Sequence, residues 1–248
     1  MRKLQISACL ITHNEEHNIC RCLDSLDFCQ EIVVVDGGST DQTVSQAKEY
    51  NAKIIENKLW LGFGNQKQIA INSASNDWIL SIDADEVVTV ELREEIIRCV
   101  QESSYDGFYF NRQSIFLGKQ MHYGDWRQDR VLRLARRESC FFEEKLIHEK
   151  LVVTGKTASL GGYLLHYSYP DIQTVLTKNT RYALTSAKAK IGESKRYSVY
   201  YALVSAVWTF IRNYILKLGF LDGQEGLLAA VSKSQEVFWK YAATRYLK

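Results

Sequence analysis

Asp77-Trp78-Ile79-Leu80-Ser81-Ile82-Asp83-Ala84-Asp85-Glu86 is the stretch on which the reading of this 248-residue chain turns. Ile79, Leu80 and Ile82 suit a strand covered on both faces, because such a strand reads as an apolar run. Asp83 and Asp85 then fall where that strand ends, and in open α/β sheets ligands gather at this carboxyl edge. Two carboxylates one residue apart repel each other and are costly to desolvate unless something positive neutralises them. A hard divalent cation with oxygen ligands, its shell completed by substrate phosphates, meets that need. The plain alternative is a solvated Asp-rich turn, and the buried strand before it favours the functional reading.

Upstream, Ile6–Thr12 reads as a first strand. Asn14 is expected to cap a helix reaching about Leu26, with Glu15 and Glu16 in its first turn. Glu31–Asp36 is a second strand, broken at Gly37-Gly38, and Ser39-Thr40-Asp41-Gln42 has capping-box form for another helix. Ala52–Ile55 is a third strand. Gly62 and Gly64 precede a short helix through Lys67, Ala70 and Ile71. Strands alternating with helices from Ile6 to Asp83 imply an α/β fold with a mostly parallel, doubly wound sheet, whose right-handed crossovers put the strand ends on one edge. Downstream, Thr89 caps a helix carrying Leu92, Ile96, Ile97 and Val100. Short strands are expected at Gly107–Phe110, Val131–Leu134, Leu151–Val153 and Tyr163–His166. The only proline, Pro170, follows them, and the chain reads as helical from Asp171.

Apolar content of 46% and charged content of 24% are ordinary for a folded globular protein. The net charge of +2 hides an asymmetry. Residues 171–248 carry 12 Lys/Arg against 5 Asp/Glu, while the first 170 carry 19 against 24. A basic, aromatic-rich tail suggests an anionic surface as partner, with a solvated basic face as the alternative. The uncharged run Tyr197–Ile211 is 15 residues, short of the roughly 20 that a membrane span needs, so a packed or interfacial helix is expected. The six cysteines form no Cys-x-x-Cys pair, which argues against zinc. Met1-Arg2-Lys3 leads straight into a strand without an apolar leader segment, so a cytoplasmic protein with reduced thiols is expected.

The junction after the first strand, Thr12-His13-Asn14-Glu15, lacks the Gly-x-Gly-x-x-Gly of nicotinamide-binding domains. Neither a P-loop nor a Gly-x-Ser-x-Gly elbow is present. What remains is a sheet edge with acids after three strands: Glu15/Glu16, Asp36 and Asp83/Asp85. That pattern suits a base or ribose needing acceptors and a diphosphate held through a metal. Lys67 could lend the diphosphate a positive charge, or be a surface lysine.

Taken together, Leu10-Ile11-Thr12-His13-Asn14-Glu15-Glu16, Val35-Asp36-Gly37-Gly38-Ser39-Thr40-Asp41 and Asp83-Ala84-Asp85 resemble the inverting family-two glycosyltransferases of the GT-A fold. Further segments are Trp60–Lys67, Arg130–Leu134, His148-Glu149-Lys150 and Gly219–Gly226. These resemble the bacterial β-1,4-glucosyltransferases that extend the inner core of lipopolysaccharide or lipooligosaccharide. The resemblance implies a GT-A domain over 1–168, with a nucleotide-sugar half at 1–100 and an acceptor half at 101–168. A helical, membrane-associating region at 169–248 would follow.

By that resemblance Thr12, Asn14 and Glu15 line the nucleotide pocket and Asp36 addresses the uridine. Asp83 lies near the donor ribose and sugar, and Asp85 binds Mg²⁺ or Mn²⁺, with His166 as a late second ligand. Where many relatives have a second Asp after Asp36, this chain has Gly37. The implied reaction moves a hexose, glucose above all, from a UDP-sugar to a lipid-linked oligosaccharide, with no nucleic acid involved. The protein would sit peripherally on the cytoplasmic face of the inner membrane. An inverting transfer needs a general base. Glu149, in a segment that the related enzymes place at the acceptor pocket, is the first candidate, and Asp129 the second. Arg127 and Arg130 beside Asp129 suggest a structural ion pair there. A non-catalytic nucleotide-sugar-binding scaffold and a nucleotidyltransferase are the alternatives, separable by whether UDP-glucose or UTP is turned over.

Overall fold

The computed structural model describes residues 3–102, 104–143 and 150–247. Its parallel half comes first. β1 (Leu4–Thr12), β2 (Cys29–Asp36), β3 (Lys53–Glu56) and β4 (Trp78–Ser81) lie in the order β3-β2-β1-β4 and all run the same way. Between them run α1 (Ile19–Asp24), α2 (Thr43–Glu49) and α3 (Phe63–Asn72). Ile6, Ala8, Leu10, Val34 and Leu80 face a core with Ile19, Leu23 and Leu26, whereas Cys9, Val33, Val35 and Ile79 face Ala70 and Ile71 of α3. Both faces are therefore buried, which is why these strands read as unbroken apolar runs.

Beyond β4 the sheet turns antiparallel. β5 (Glu86–Val88) and α4 (Val90–Glu102) follow, then β6 (Gly107–Phe116), β7 (Lys119–Gln120) and β8 (Asp129–Arg136). After β9 (Cys140–Glu143), β10 (Lys150–Val153) and β11 (Thr157–Tyr169), the order continues β4-β8-β6-β11-β5, with β7 on β6 and β9-β10 a separate pair. β8 runs antiparallel to both β4 and β6, and β5 antiparallel to β11. The expected cap at Thr89 is present, its Oγ1 accepting from Leu92 N at 3.3 Å.

Two expected caps are not caps. Asn14 has φ of +57° and its Oδ1 accepts from Thr40 N at 2.9 Å, so it fastens one loop to the next, and α1 begins only at Ile19. Ser39 donates to Asp36 Oδ1 at 2.5 Å instead of starting a helix. α2 begins at Thr43, whose N–H and hydroxyl both donate to Asp41 Oδ1. In both cases a partner in the rim of the sheet edge, distant in sequence for Asn14 and three residues back for Ser39, outcompetes the helix terminus.

The contacts divide the chain into two units, Met1–Arg112 with Asp129–His166, and Gln113–Gln128 with Tyr167–Lys248. Where the sequence reading draws one cut at 168/169, Gln113–Gln128 thus groups with the C-terminal helices. In that second unit α5 (Ile172–Gly192) is capped by Asp171, which accepts from Thr174 N, and α6 (Val199–Phe210) by Ser198. Both pack on α7 (Gly223–Tyr246). Gly219–Gly226 acts as a clasp. Buried Asp222 accepts from Tyr123 N at 2.9 Å and from His122 N at 3.1 Å. A Cβ on Gly226 would stand 1.9 Å from the Gly219 carbonyl oxygen, so no larger residue fits there.

α6 is inside out for a water-soluble helix. Its buried positions are the small Ala202, Ala206 and Thr209, while Tyr200 (76% exposed), Leu203, Val204, Val207 and Trp208 (55%) face outward. No helix of the described residues is long and apolar enough to cross a membrane.

Candidate active site

The carboxyl ends of β1, β2 and β4 carry the acids that the sequence singles out. Thr12 and Asp36 are register partners in adjacent strands, and the Thr12 hydroxyl donates to Asp36 Oδ1 at 3.0 Å. Ser39 Oγ donates to the same oxygen, and the N–H groups of Gly38 and Ser39 donate to Oδ2 at 2.9 and 2.8 Å. A carboxylate has about four lone-pair positions, so Asp36 is occupied by its own chain and organises the Gly37-Gly38-Ser39 loop. Glu15 is half-buried, its N–H donating to Thr43 Oγ1 at 2.7 Å and its Oε2 accepting from Asn18 at 2.9 Å. Through Asn14, Glu15 and Thr12 the loops after β1 and β2 form one hydrogen-bonded rim.

At the end of β4 the charges interlock. Lys67 is buried on α3, and its Nζ lies 2.8 Å from Asp83 Oδ1. It is not a surface lysine, and its partner in this structure is a carboxylate. From β8, Arg133 Nη2 lies 2.6 Å from Asp83 Oδ2 and 2.6 Å from Glu86 Oε1. Glu86 is wholly buried, and its Oε2 accepts from Asp83 N at 3.0 Å. Arg112 on β6 reaches Glu86 Oε1 at 3.5 Å and forks onto Asp129, with Nε at 3.1 Å and Nη2 at 2.7 Å. Burial acts to raise the Asp83 pKa, yet the Arg133 guanidinium and the Lys67 ammonium outweigh it and hold the carboxyl well below the usual carboxylate range.

Asp85 points elsewhere. Its Oδ2 is 3.4 Å from His166 Nε2, and the two side chains are only 16% and 19% exposed. The pairing is built by register, because Glu86 on β5 sits opposite His166 on β11. His166 is therefore brought to the Asp-Ala-Asp turn across a strand pair separated by 80 residues of sequence. Among the described residues no group of three His, Cys, Asp or Glu is arranged to hold a metal by itself.

Of the two base candidates, Asp129 is the one the structure describes. Its ion pair is real, but the partner is Arg112 and the geometry bidentate. Glu149 lies outside the described residues. Sequence reasoning assigns no role to Glu86, Arg133 or Arg112. One signal was available for Arg133: a guanidinium inside Val131-Leu132-Arg133-Leu134-Ala135 must find a buried counter-charge.

The family model for Glycosyl transferase family 2 matches residues 7–164. An uncharacterised glycosyltransferase of Rickettsia typhi is 29% identical over 259 residues, covering 98% of this chain and 87% of that one. The lipopolysaccharide core biosynthesis glycosyltransferase LpsC of Rhizobium meliloti is 28% identical over 254 residues, covering 97% and 94%. Among solved structures, S. aureus TarS 1-349 in complex with UDP has a TM-score of 0.51 at 14% identity, covering 99% of this chain and 92% of that chain. That last likeness is one of fold.

The charge lock at Asp83 has a pH signature. A carboxyl with a depressed folded-state pKa contributes stability above its unfolded value of about 3.9, and loses it as pH falls through the folded value. Asp83→Asn removes that contribution. We expect the melting-temperature gap between wild type and Asp83→Asn to be widest near neutrality and to close below pH ~3.9. Thermal denaturation followed by circular dichroism across the acid range checks this, and a gap constant with pH would contradict it.

Proposed function

The chain belongs to glycosyl transferase family 2, and from that premise we propose that it moves glucose from UDP-glucose to a hydroxyl of a lipid-linked lipopolysaccharide or lipooligosaccharide core, with inversion. The observation that carries this reading is the convergence of the Thr12/Asp36 rim, Asp83 and the Asp85–His166 pair on one sheet edge. The likeness to LpsC over nearly the whole chain supports the class of acceptor. TarS, bound to UDP on the same fold, supports the donor nucleotide.

The Asp85–His166 pair fits a divalent cation. A carboxylate oxygen and an imidazole nitrogen 3.4 Å apart and largely buried would together hold a divalent ion between them. Two protein ligands leave the other positions to water and substrate phosphate oxygens, the usual style for Mg²⁺ or Mn²⁺ with a nucleotide. When bound, such an ion supplies Lewis-acid charge beside the departing diphosphate. Asp83, held ionised by Lys67 and Arg133, presents acceptor oxygens to hydroxyls of the donor ribose or sugar. Lys67 serves the site through Asp83. The rim of Thr12, Asn14, Glu15 and Asp36 shapes the nucleotide pocket by fixing backbone.

Glu149 is the proposed general base, on its sequence context. Asp129 ranks second, because each of its oxygens is already paired with the Arg112 fork as a structural ion pair. The outward face of α6 supports a peripheral placement on the cytoplasmic face of the inner membrane, where a lipid-linked acceptor would be met. Tyr and Trp among aliphatic side chains suit the interface plane, and nearby cations suit anionic headgroups.

Three outcomes test the reading. With UDP-glucose and a truncated core acceptor, wild type should release UDP only with Mg²⁺ or Mn²⁺ present. Asp85→Ala should be inactive yet folded, and full activity in excess chelator would remove the metal assignment. Glu149→Gln should lower turnover by roughly 10²–10⁴-fold with UDP-sugar binding unchanged, and wild-type turnover in this variant would move the role to Asp129. Sedimentation with anionic vesicles should carry the protein down, less so at high salt, and Trp208→Ser with Leu203→Ser should weaken the remainder. Equal recovery of that variant at every salt concentration would refute the α6 contact.

A further inference from the structure

Glu86 and Arg133 are the most deeply buried charges around the Asp83-Ala84-Asp85-Glu86 turn. Glu86 is wholly buried and Arg133 nearly so. Burying such a pair gives little net stability, since a well-packed apolar pair of similar volume is often as stable or more so. What the charges supply at this position is direction.

The turn is closed twice by Glu86. Its backbone N–H donates to the Asp83 carbonyl at 2.9 Å, and its carboxylate accepts from the Asp83 N–H at 3.0 Å. Arg133 then uses one nitrogen to hold the Asp83 carboxylate and the Glu86 carboxylate, each at 2.6 Å. Its Nε is buried without a hydrogen-bond partner among the described residues. An apolar pair in place of Glu86 and Arg133 would incur no such loss, so stability alone explains these two charges poorly. Meanwhile the Glu86 backbone is in register with His166, and Ala84 and Asp85 are the residues held between Asp83 and Glu86 in the turn. Fixing the turn therefore fixes where Asp85 stands relative to His166.

We infer that Glu86 and Arg133 are positioning residues of the transfer site: Arg133 orients the Asp83 carboxylate, and Glu86 sets the turn that spaces Asp85 from His166. This rests on the proposed glycosyltransferase reading, and on Asp85 and His166 as the cation's protein ligands. Groups that orient metal ligands from behind typically change metal affinity or activity by 10–100-fold when altered.

The test uses the full chain with Glu86→Gln, Arg133→Met, Arg133→Lys and the charge-free double variant Glu86→Leu/Arg133→Met. Three quantities are read: melting temperature, UDP binding by calorimetry across a Mn²⁺ titration, and kcat and KM for the UDP-sugar. Glu86→Gln should raise the Mn²⁺ concentration needed for UDP binding by roughly 10–100-fold. Arg133→Lys should retain the fold while lowering kcat more than it raises KM. The double variant should recover the melting temperature but neither the Mn²⁺ dependence nor kcat. If the double variant recovers all three, or if Glu86→Gln lowers only the melting temperature, the pair is structural and the inference falls. Should Glu86→Gln and Arg133→Met fail to fold, Arg133→Lys and the double variant decide it. Wild type that binds UDP equally with and without Mn²⁺ overturns the metal reading itself, and this inference with it.

Discussion

Asp83, Asp85 and Glu86 crowd the end of one buried strand, and their mutual repulsion is the constraint that the surrounding structure answers. Three acids within four residues cannot all be ionised in a largely buried turn unless cations meet them. The fold delivers those cations from three directions: Lys67 from α3, Arg133 from β8 and Arg112 from β6. Lys67 and Arg133 lie on elements beside β4, and Arg112 on β6, the next strand beyond β8, so neutralising the turn also fixes how the antiparallel strands join the parallel ones. The result alternates in sign, Lys67–Asp83–Arg133–Glu86–Arg112–Asp129, and leaves Asp85 with His166. Asp83 and Asp85 are chemically alike and separated in the chain by Ala84 alone. Their surroundings differ: one carboxylate is held by two fixed cations, the other faces an imidazole.

Much of this was legible in the sequence, and the exceptions share a cause. The runs ending at Thr12, Asp36 and Ser81 could be read because a strand buried on both faces has no polar alternation to confuse it. β6 and β11 were expected at less than half of their lengths, since Asn111, Arg112 and Gln113 interrupt the apolar pattern of one and Gly161 and Gly162 that of the other. Asn14 and Ser39 carry good capping side chains, but each finds a partner 25 or more residues away at the rim or in the Asp36 carboxylate. Propensity sees the local option only. The positions of Asp36, Asp83, Asp85 and His166 near strand ends were likewise readable. The Arg133–Glu86 bridge was not, because its partners are 47 residues apart and pairing depends on the β4–β8 register.

The C-terminal helices pose the opposite problem, with surface that the fold leaves uncovered. α6 meets α7 through Ala202 and Ala206, a small-residue contact that lets two backbones approach while turning the large side chains outward. A helix built for water would place Leu203, Val207 and Trp208 inward. Several cations of this region are already engaged: Arg212 lies 2.7 Å from Asp125, Lys217 also pairs with Asp125, and Lys195 lies 2.8 Å from Glu193. Paired charges still contribute to the field of an unequally charged surface, but they hold a lipid headgroup less directly than a solvated lysine does. The apolar face must then supply more of any attachment than charge does. Since the uncharged run is too short to span a bilayer, the proposed membrane contact is that of a helix lying along the surface, its aromatic and aliphatic side chains turned to the lipid.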